Sequence, residues 1–284
     1  MNKTAMIMTC IASTGSIALC NAQGQGTKQE TDVRKAVELL KSIETGDKEP
    51  AGNIKADKYI QHNLDVANGI EGFGALLAQL ADYPEPPTVN TVRAFQDGNY
   101  VFAQTDYNFF GPKIGIDIFR FEDGKIVEHW DNLMTTPSSP NPSGRTAIDG
   151  ATAIADLDKT AANKALAQQF VEDVLIQRHA DNLGAYFDGD KLVQHDPQIG
   201  DGANAYLAGL SQNGHEYKYA NVEKVLGQGN FVLVVSQGTD NGIPVAYYDL
   251  YRIEDGKIAE HWDVIETIPP KSEWKNPNGK FGFA

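Results

Sequence analysis

The chain has 284 residues, of which 41% are hydrophobic and 22% charged, and its formal net charge is −14. This composition is typical of a soluble globular protein, and the length suffices for two domains of ordinary size. Because so acidic a surface repels phosphate backbones, we expect no nucleic-acid partner.

The first 22 residues have the layout of a secretory signal peptide. Lys3 supplies a positive start, a mostly apolar stretch runs from Ala5 to Leu19, and a polar run follows. The stretch is too short and too interrupted by Ser and Gly to span a bilayer. We expect cleavage after Ala22 and a secreted or periplasmic protein without a membrane span. Two alternatives are a lipoprotein anchored at Cys20 and an N-terminal helix of the fold.

Helices precede strands in the first half of the chain. Apolar residues at helical spacing predict a helix over residues 33–43 and a second over 70–80. Strand patterns follow over residues 89–95, 100–107, 114–121 and 126–133, and Asp123-Gly124 predicts a tight hairpin between the last two. The second half repeats this order, with helices expected over 166–175 and 203–210.

An internal repeat organises the chain. Residues 117–131 read DIFRFEDGKIVEHWD and residues 249–263 read DLYRIEDGKIAEHWD, a spacing of 132 positions. Gln-His-Asn at residues 61–63 matches Gln-His-Asp at 194–196, and Gly72 matches Gly202. A period this long indicates tandem domains, since solenoid repeats are several times shorter.

We therefore predict an α+β protein made of two tandem domains, each with helices packed on a curved sheet. The predicted boundaries are a leader over residues 1–22, domain 1 over 31–146, a linker over 147–158 and domain 2 over 159–284.

Regular pairing of the predicted hairpin places two carboxylates, Asp117 and Glu128, on an otherwise apolar sheet face. If Glu122 pairs with Lys125, then Phe119 lies opposite Glu128 and Asp117 lies opposite Trp130. Burying Asp117 there is costly unless it is paired or functional. The same interpretation in both copies gives the pocket residues Phe119, Glu128, Trp130, Asn63, Tyr251, Glu260, Trp262 and Asp196.

Such a desolvated carboxyl should have a raised pKa, which suits a general base near neutral pH. The candidate catalytic residues are Asp117 and Asp249, with His62 and His195 as partner acids or hydrogen-bond donors. The alternative is that Asp117 merely anchors the sheet, by bonding His62 or a backbone amide.

Other chemistry has weaker support. We expect His129 and His261 to join a surface or interface ion network with Arg120 or Arg252. The only cysteines are Cys10 and Cys20, so the predicted domains hold neither a disulfide nor a cysteine–histidine zinc site. No tight metal-ligand spacing, serine elbow or dinucleotide loop occurs, so we predict no metal and no cofactor.

Both halves resemble the SnoaL-like polyketide-cyclase family, within the superfamily of ketosteroid isomerase and nuclear transport factor 2. The resemblance rests on the Gln-His-Asn or Gln-His-Asp element, the glycine before a helix and the repeated hairpin. It implies a helix-lined cone around an apolar pocket, and it gives the acid–base role to Asp117 and Asp249. Domains of this kind often pair through their sheets, so we expect an intrachain pseudo-dimer and leave homo-oligomers open.

The sequence departs from the family pattern in two places. The family often has a histidine on the strand before the aspartate, where these copies have residues 103–105 (Ala-Gln-Thr) and 235–237 (Val-Ser-Gln). Copy one has Leu64 after its Gln-His-Asn, whereas copy two keeps the usual proline, Pro197. We therefore expect copy two to hold the more complete site.

Two functions follow as expectations. One is an acid–base isomerase, cyclase, lyase or hydrolase acting on a small, mostly apolar carbonyl compound. The other is an exported protein that holds such a small apolar molecule without converting it.

Overall fold

The computed structural model describes residues 28–212 and 214–283. The predicted leader lies outside these residues, so cleavage and export stay predictions. Within the described part of the chain, no helix is both long and apolar enough to cross a bilayer.

Domain 1 contains two helices and five strands. They are α1 (Lys28–Thr45), β1 (Ile60–Gln61), α2 (Gly69–Ala81), β2 (Thr88–Asp97), β3 (Tyr100–Asn108), β4 (Pro112–Glu122) and β5 (Lys125–Thr135). Domain 2 contains α3 (Thr160–Phe170), continued by a π-helical turn (Val171–Ile176), and then α4 (Leu183–Tyr186), β6 (Val193–Gln194), α5 (Ala203–Gly209), β7 (Tyr217–Gln228), β8 (Phe231–Asp240), β9 (Ile243–Glu254) and β10 (Lys257–Thr267).

Each domain has one mixed five-stranded sheet. The strand orders are β1-β5-β4-β3-β2 and β6-β10-β9-β8-β7, and only the short β1–β5 and β6–β10 pairs are parallel. Asp123 and Gly124 both have positive φ, as the predicted two-residue hairpin turn requires. These sheets with their helices confirm the α+β prediction and the tandem repeat.

The two faces of each sheet are covered differently. In α1, Ala36, Leu39 and Ile43 point to one side, and they pack with Val101 and Phe119 on the concave face. The other face carries alternate side chains of the same strands. It packs against the sheet of domain 2 in one shared core that includes Phe102, Ile116, Ile118, Leu233, Leu250 and Val264. The domains therefore pack sheet to sheet within one chain.

Each domain also sends an arm across the other. Arm 1 (residues 141–151) follows domain 1, and its Asn141 Nδ2 donates to the carbonyls of Gln194 and Ile199 in domain 2, at 2.7 and 2.9 Å. Arm 2 (residues 275–283) follows domain 2, and its Asn276 Nδ2 donates to the carbonyls of Asn63 and Val66, at 2.7 and 3.0 Å. Residues 147–158, predicted as a linker, thus begin inside a packed arm.

We predict that Asn141→Ala and Asn276→Ala each lower the free energy of unfolding by about 2–3 kcal/mol, because buried carbonyls lose their donor. Urea unfolding measures the loss, and Ser139→Ala, at an exposed position close to Asn141, serves as the control. Losses below about 0.5 kcal/mol in both arm variants would show that the arms do not bind the domains together.

Candidate functional site

A β-bulge in each hairpin changes which side chains share a sheet face. In the β4–β5 hairpin the register shifts at Val127, so Glu128 pairs with Arg120 and not with Phe119. Domain 2 has the same shift at Ala259. Because side chains alternate along a strand, one extra residue moves every later side chain of that strand to the opposite face.

The bulge places an unexpected set of polar groups on the concave face. Asp117 pairs with Asp131, and Phe119 pairs with His129. The predicted pairing of Asp117 with Trp130 is therefore wrong, and Trp130 lies instead in the core between the domains. The expectation that His129 joins a surface or interface ion network with Arg120 is also wrong, since it faces the interior of the cone and bonds Gln61 and Asp117.

Asp117 is held by two hydrogen bonds at the base of the cone. Its Oδ2 lies 2.7 Å from the Tyr107 hydroxyl, and its Oδ1 lies 3.1 Å from His129 Nε2. Burial raises the pKa of Asp117, and the neighbouring Asp131 raises it further, while the bonds from His129 and Tyr107 act against both. The direction agrees with the prediction, although the surroundings are the cone interior and not Trp130.

The hydrogen bonds show that Asp117 and His129 share one proton. Gln61 Oε1 accepts from the backbone N–H of Asn63 at 2.9 Å, which identifies that atom as the oxygen. His129 Nδ1, 3.0 Å from the same oxygen, must therefore donate to it. The contact of Nε2 with Asp117 then needs a proton of its own, which either an imidazolium or a carboxylic acid supplies. This pair can hold and pass one proton.

Asp131 lies beside the Asp117–His129 pair and is also buried. Its Oδ2 accepts from Asn63 Nδ2 at 2.7 Å. Its Oδ1 is buried and has no hydrogen-bond partner. Asn63, predicted as a pocket residue, thus contacts the site through Asp131.

Domain 1 contains a cavity of about 240 Å³ with one polar end. That end is lined by Gln61, Asn63, Asp117, His129 and Asp131. Most of the remaining wall is apolar or aromatic and includes Leu39, Phe73, Leu76, Tyr107, Phe119 and Leu133. An apolar chamber with a few convergent polar groups is the usual form of a small-molecule site.

His62, Glu128 and Trp130 form a separate cluster on the opposite face of the sheet. His62 Nε2 lies 2.9 Å from Glu128 Oε1, and its ring stacks on Trp130 at 4.6 Å. Although burial raises the pKa of Glu128, the bonds from His62 and Arg120 lower it below its ordinary value. Arm 2 covers this cluster. The prediction that His62, Glu128 and Trp130 share a pocket with Asp117 is therefore wrong.

Domain 2 repeats this arrangement. His195 Nε2 lies 2.9 Å from Glu260 Oε1, and His195 stacks on Trp262 under arm 1. His195 is thus not the partner of Asp249 that we predicted. Asp249 Oδ1 instead bonds His261 Nε2 at 3.0 Å, as Asp117 bonds His129.

Tyrosine rings fill the interior of domain 2. Tyr219 bonds Asp249 at 3.1 Å, and the hydroxyls of Tyr206 and Tyr251 lie 3.1 Å apart beside His261. Asp249 and His261 are fully buried. Tyr206 corresponds to Phe73 of domain 1, because Gly69 and Gly202, which donate to the equivalent carbonyls of Tyr59 and Leu192, are the matching glycines at the starts of α2 and α5. The expectation that copy two has the more complete site is therefore wrong, because Asp249 lies in a packed core.

Asp196 and Asp263 share a buried site in domain 2. Burial raises the pKa of Asp263 well above its usual value, and the charge and hydrogen bond of Asp196 raise it further. Asp196, predicted as a pocket residue, is therefore the buried neighbour of Asp263 in domain 2.

Sequence reasoning missed His129, Asp131 and Tyr107 in domain 1, and His261, Asp263 and Tyr219 in domain 2. One signal could have found them. Arg120 and Glu128 carry opposite charges, Arg252 and Glu260 repeat them, and such residues are favourable as directly opposed pairs. Placing them opposite each other requires the bulge, and the bulge turns His129 and Asp131 inward.

Asp117, His129 and Asp131 also bring one ligand atom each within 4.8 Å of one another, as a metal ion would need. However, both nitrogens of His129 already take part in hydrogen bonds, so an ion would have to displace the bond to Asp117. The hydrogen bonding favours a proton-sharing pair, and the absence of a metal stays a prediction.

Solved structures similar to this chain match one domain at a time. TsrD from Streptomyces laurentii is 23% identical, covers 36% of this chain and 87% of its own, and gives a TM-score of 0.32. A candidate ketosteroid isomerase from Kribbella flavida is 19% identical, with coverages of 39% and 84% and a TM-score of 0.34. An LEH-like epoxide hydrolase from M. tuberculosis is 16% identical, with coverages of 38% and 85% and a TM-score of 0.34. No protein of curated function matches the chain.

A family model described as the SnoaL-like domain matches residues 33–129 and 167–261. The two segments together make up more than half of the chain, and one lies in each domain. They confirm the resemblance inferred from the repeated hairpin. The chain belongs to the SnoaL-like domain family and carries two copies of that domain.

Proposed function

We propose that domain 1 binds a small, mostly apolar molecule with a carbonyl group and transfers protons to and from it through Asp117 and His129. The observation that supports this most directly is the shared proton of this buried pair at the polar end of an apolar cavity. The reaction class is a cofactor-independent isomerase, cyclase, lyase or hydrolase.

The residues around the pair favour proton transfer over charge separation. A mostly apolar wall limits the water around the reacting atoms, which strengthens the electrostatic interactions inside the cavity. Tyr107 and Gln61 fix the orientations of Asp117 and His129, which lowers the reorganisation needed during transfer. Because burial disfavours the ionised form of Asp117, its pKa is raised towards neutral pH, where a carboxyl group can act both as an acid and as a base.

Binding without conversion is the second candidate function. Both oxygens of Asp117 already have hydrogen-bond partners, and the residue is only 3% exposed. Mass spectrometry of protein purified from its native host separates the two candidates. A molecule recovered unchanged after incubation supports binding, and a converted product supports catalysis.

We further propose that domain 2 is a structural copy without turnover. Its Asp249 also bonds His261 and a tyrosine, but through one oxygen, Oδ1, and tyrosine rings occupy the space where a substrate would lie. The chain would then use one copy for chemistry and the other to complete the fold.

We propose export on the evidence of the leader sequence alone. Mass spectrometry of the mature protein tests it, since cleavage after Ala22 leaves Gln23 as the first residue. A mature chain that retains Met1 and the apolar stretch would refute export by this route.

We predict that Asp117→Asn lowers the rate of proton exchange next to a ketone carbonyl by about 10²–10⁴-fold, the usual contribution of a general acid or base. A panel of small cyclic and aromatic ketones in D₂O, followed by proton NMR, measures the exchange. Asp249→Asn is the matched control, and we expect it to retain the rate. Exchange that survives in Asp117→Asn, for a ketone that the unaltered protein converts, rules out the mechanism.

We predict that Asp263→Asn removes part of the pH dependence of stability. The pKa of Asp263 is raised in the folded state, so above about pH 4 the folded chain retains a proton that the unfolded chain has lost. The stabilisation from that proton is complete below the unfolded pKa and falls by about 1.4 kcal/mol per pH unit until the folded pKa is passed. Urea unfolding between pH 5 and 8 should therefore show a shallower decline for the variant.

The exposed Asp181→Asn serves as the control, because it removes one carboxyl without altering the buried pair. Parallel curves for Asp263→Asn and the unaltered protein would show that Asp196 and Asp263 do not hold a proton in common.

A further inference from the structure

Arm 2 places a buried lysine beside the site of domain 1. Lys280 is only 4% exposed, although lysine side chains are rarely buried without a partner. Its Nζ lies 2.7 Å from Glu266 Oε2 and 4.0 Å from Asp131 Oδ1. A residue that follows domain 2 thus lies next to the polar end of the cavity in domain 1.

Glu266 alone does not account for the position of Lys280. The second oxygen near the lysine, Asp131 Oδ1, is buried and accepts no hydrogen bond. A buried carboxylate oxygen that accepts no hydrogen bond is costly unless a positive charge lies near it. Lys280 is the cation that the structure places within 4.0 Å of that oxygen.

Domain 2 shows what happens when this cation lies elsewhere. Arg145 occupies the position of Lys280, counted from the matching tails, but it forms an ion pair with Asp201 that is more than one-third exposed. Asp263, the counterpart of Asp131, lies beside Asp196 instead, and burial together with the charge of Asp196 raises the pKa of Asp263 well above its usual value. The same carboxyl therefore has a lysine beside it in domain 1 and a second carboxyl beside it in domain 2.

We propose that Lys280 is a positioning residue of the domain 1 site, which holds Asp131 as a carboxylate and sets how tightly the Asp117–His129 pair binds its shared proton. The inference rests on the proposed function for the role of this pair. It gives domain 2 a part in the chemistry of domain 1, because only the arm that follows domain 2 carries Lys280.

Several charged or titratable groups face this position. Asp117 and Tyr107 lie on the neighbouring strands, and His129 lies on the same strand as Asp131. The remaining groups are Tyr59, Tyr248 of domain 2, and Glu266 with Lys280 itself. Of these, Lys280 and the imidazolium form of His129 are the cations, so removing Lys280 makes the surroundings of the shared proton more negative.

The experiment follows the imidazole of His129 by nitrogen-15 NMR as a function of pH in the full chain. The chain has six histidines, and His129→Gln assigns the signal. Lys280→Met should raise the apparent pKa of the shared proton by about one unit, because a nearby positive charge no longer opposes protonation. Lys280→Arg should restore the original titration to within about 0.3 unit.

Glu266→Gln supplies a change of the opposite sign. It removes a negative charge beside Asp131 while an amide oxygen remains to accept from the N–H of Leu133, so the apparent pKa should fall. Arg145→Met, the matched variant in arm 1, should leave the titration of His129 unchanged. A merely structural role for Lys280 predicts loss of stability in Lys280→Met without these opposite shifts.

A folded Lys280→Met protein whose His129 titrates within about 0.2 unit of the original would overturn the proposal. If that variant does not fold, the absence of a downward shift in Glu266→Gln overturns it equally. Because nitrogen-15 NMR follows the protonation of the His129 imidazole itself, the outcome does not depend on whether any ketone is converted. Failure of the proposed catalysis and failure of the Lys280 proposal can therefore be told apart.

Discussion

The one-residue bulge at Val127, repeated at Ala259, determines which side chains enter each cone. Arg120 and Glu128 lie directly opposite each other beside the bulge, with Arg120 Nε donating to Glu128 Oε2 at 2.6 Å. Because this pair holds the shifted register, the two strands bring Asp117, His129 and Asp131 to the same face. Without the shift, His129 would point away from Asp117 and the cone would lose its proton-sharing pair.

The same alternation supplies the contact between the domains. Side chains that do not enter the cones form one core between the two sheets, and Trp130 and Trp262 both belong to it. The arms lie over the edges of this core, where His62 and His195 bond the arm carbonyls of Gly279 and Thr146, at 2.7 and 2.8 Å. A separated domain would expose these histidines and tryptophans, so the two copies depend on each other for their folded surfaces.

The two cones share a buried aspartate–histidine pair but differ in the side chains that surround it. Both hold an aspartate bonded to a histidine and a tyrosine, and in both a glutamine fixes the histidine. In domain 1 the tyrosine is Tyr107, from the strand next to the aspartate, and a cavity remains. In domain 2 the interior holds Tyr206, Tyr219 and Tyr251, and their rings take up the space. Side-chain volume, and not the polar pair, therefore separates a candidate site from a packed core.

The sequence by itself determined the repeat, the order of helices and strands, the hairpin turns and the burial of one aspartate, Asp117 or Asp249, in each copy. These features follow from local rules, since periodicity and turn chemistry depend on neighbours along the chain. Only the tertiary structure decided which histidine meets each aspartate, which copy keeps a cavity and where Lys280 lies. Both faces of β4 and β5 are buried, so hydrophobic alternation could not reveal the bulge, and cavity volume depends on residues that meet only after the chain has folded.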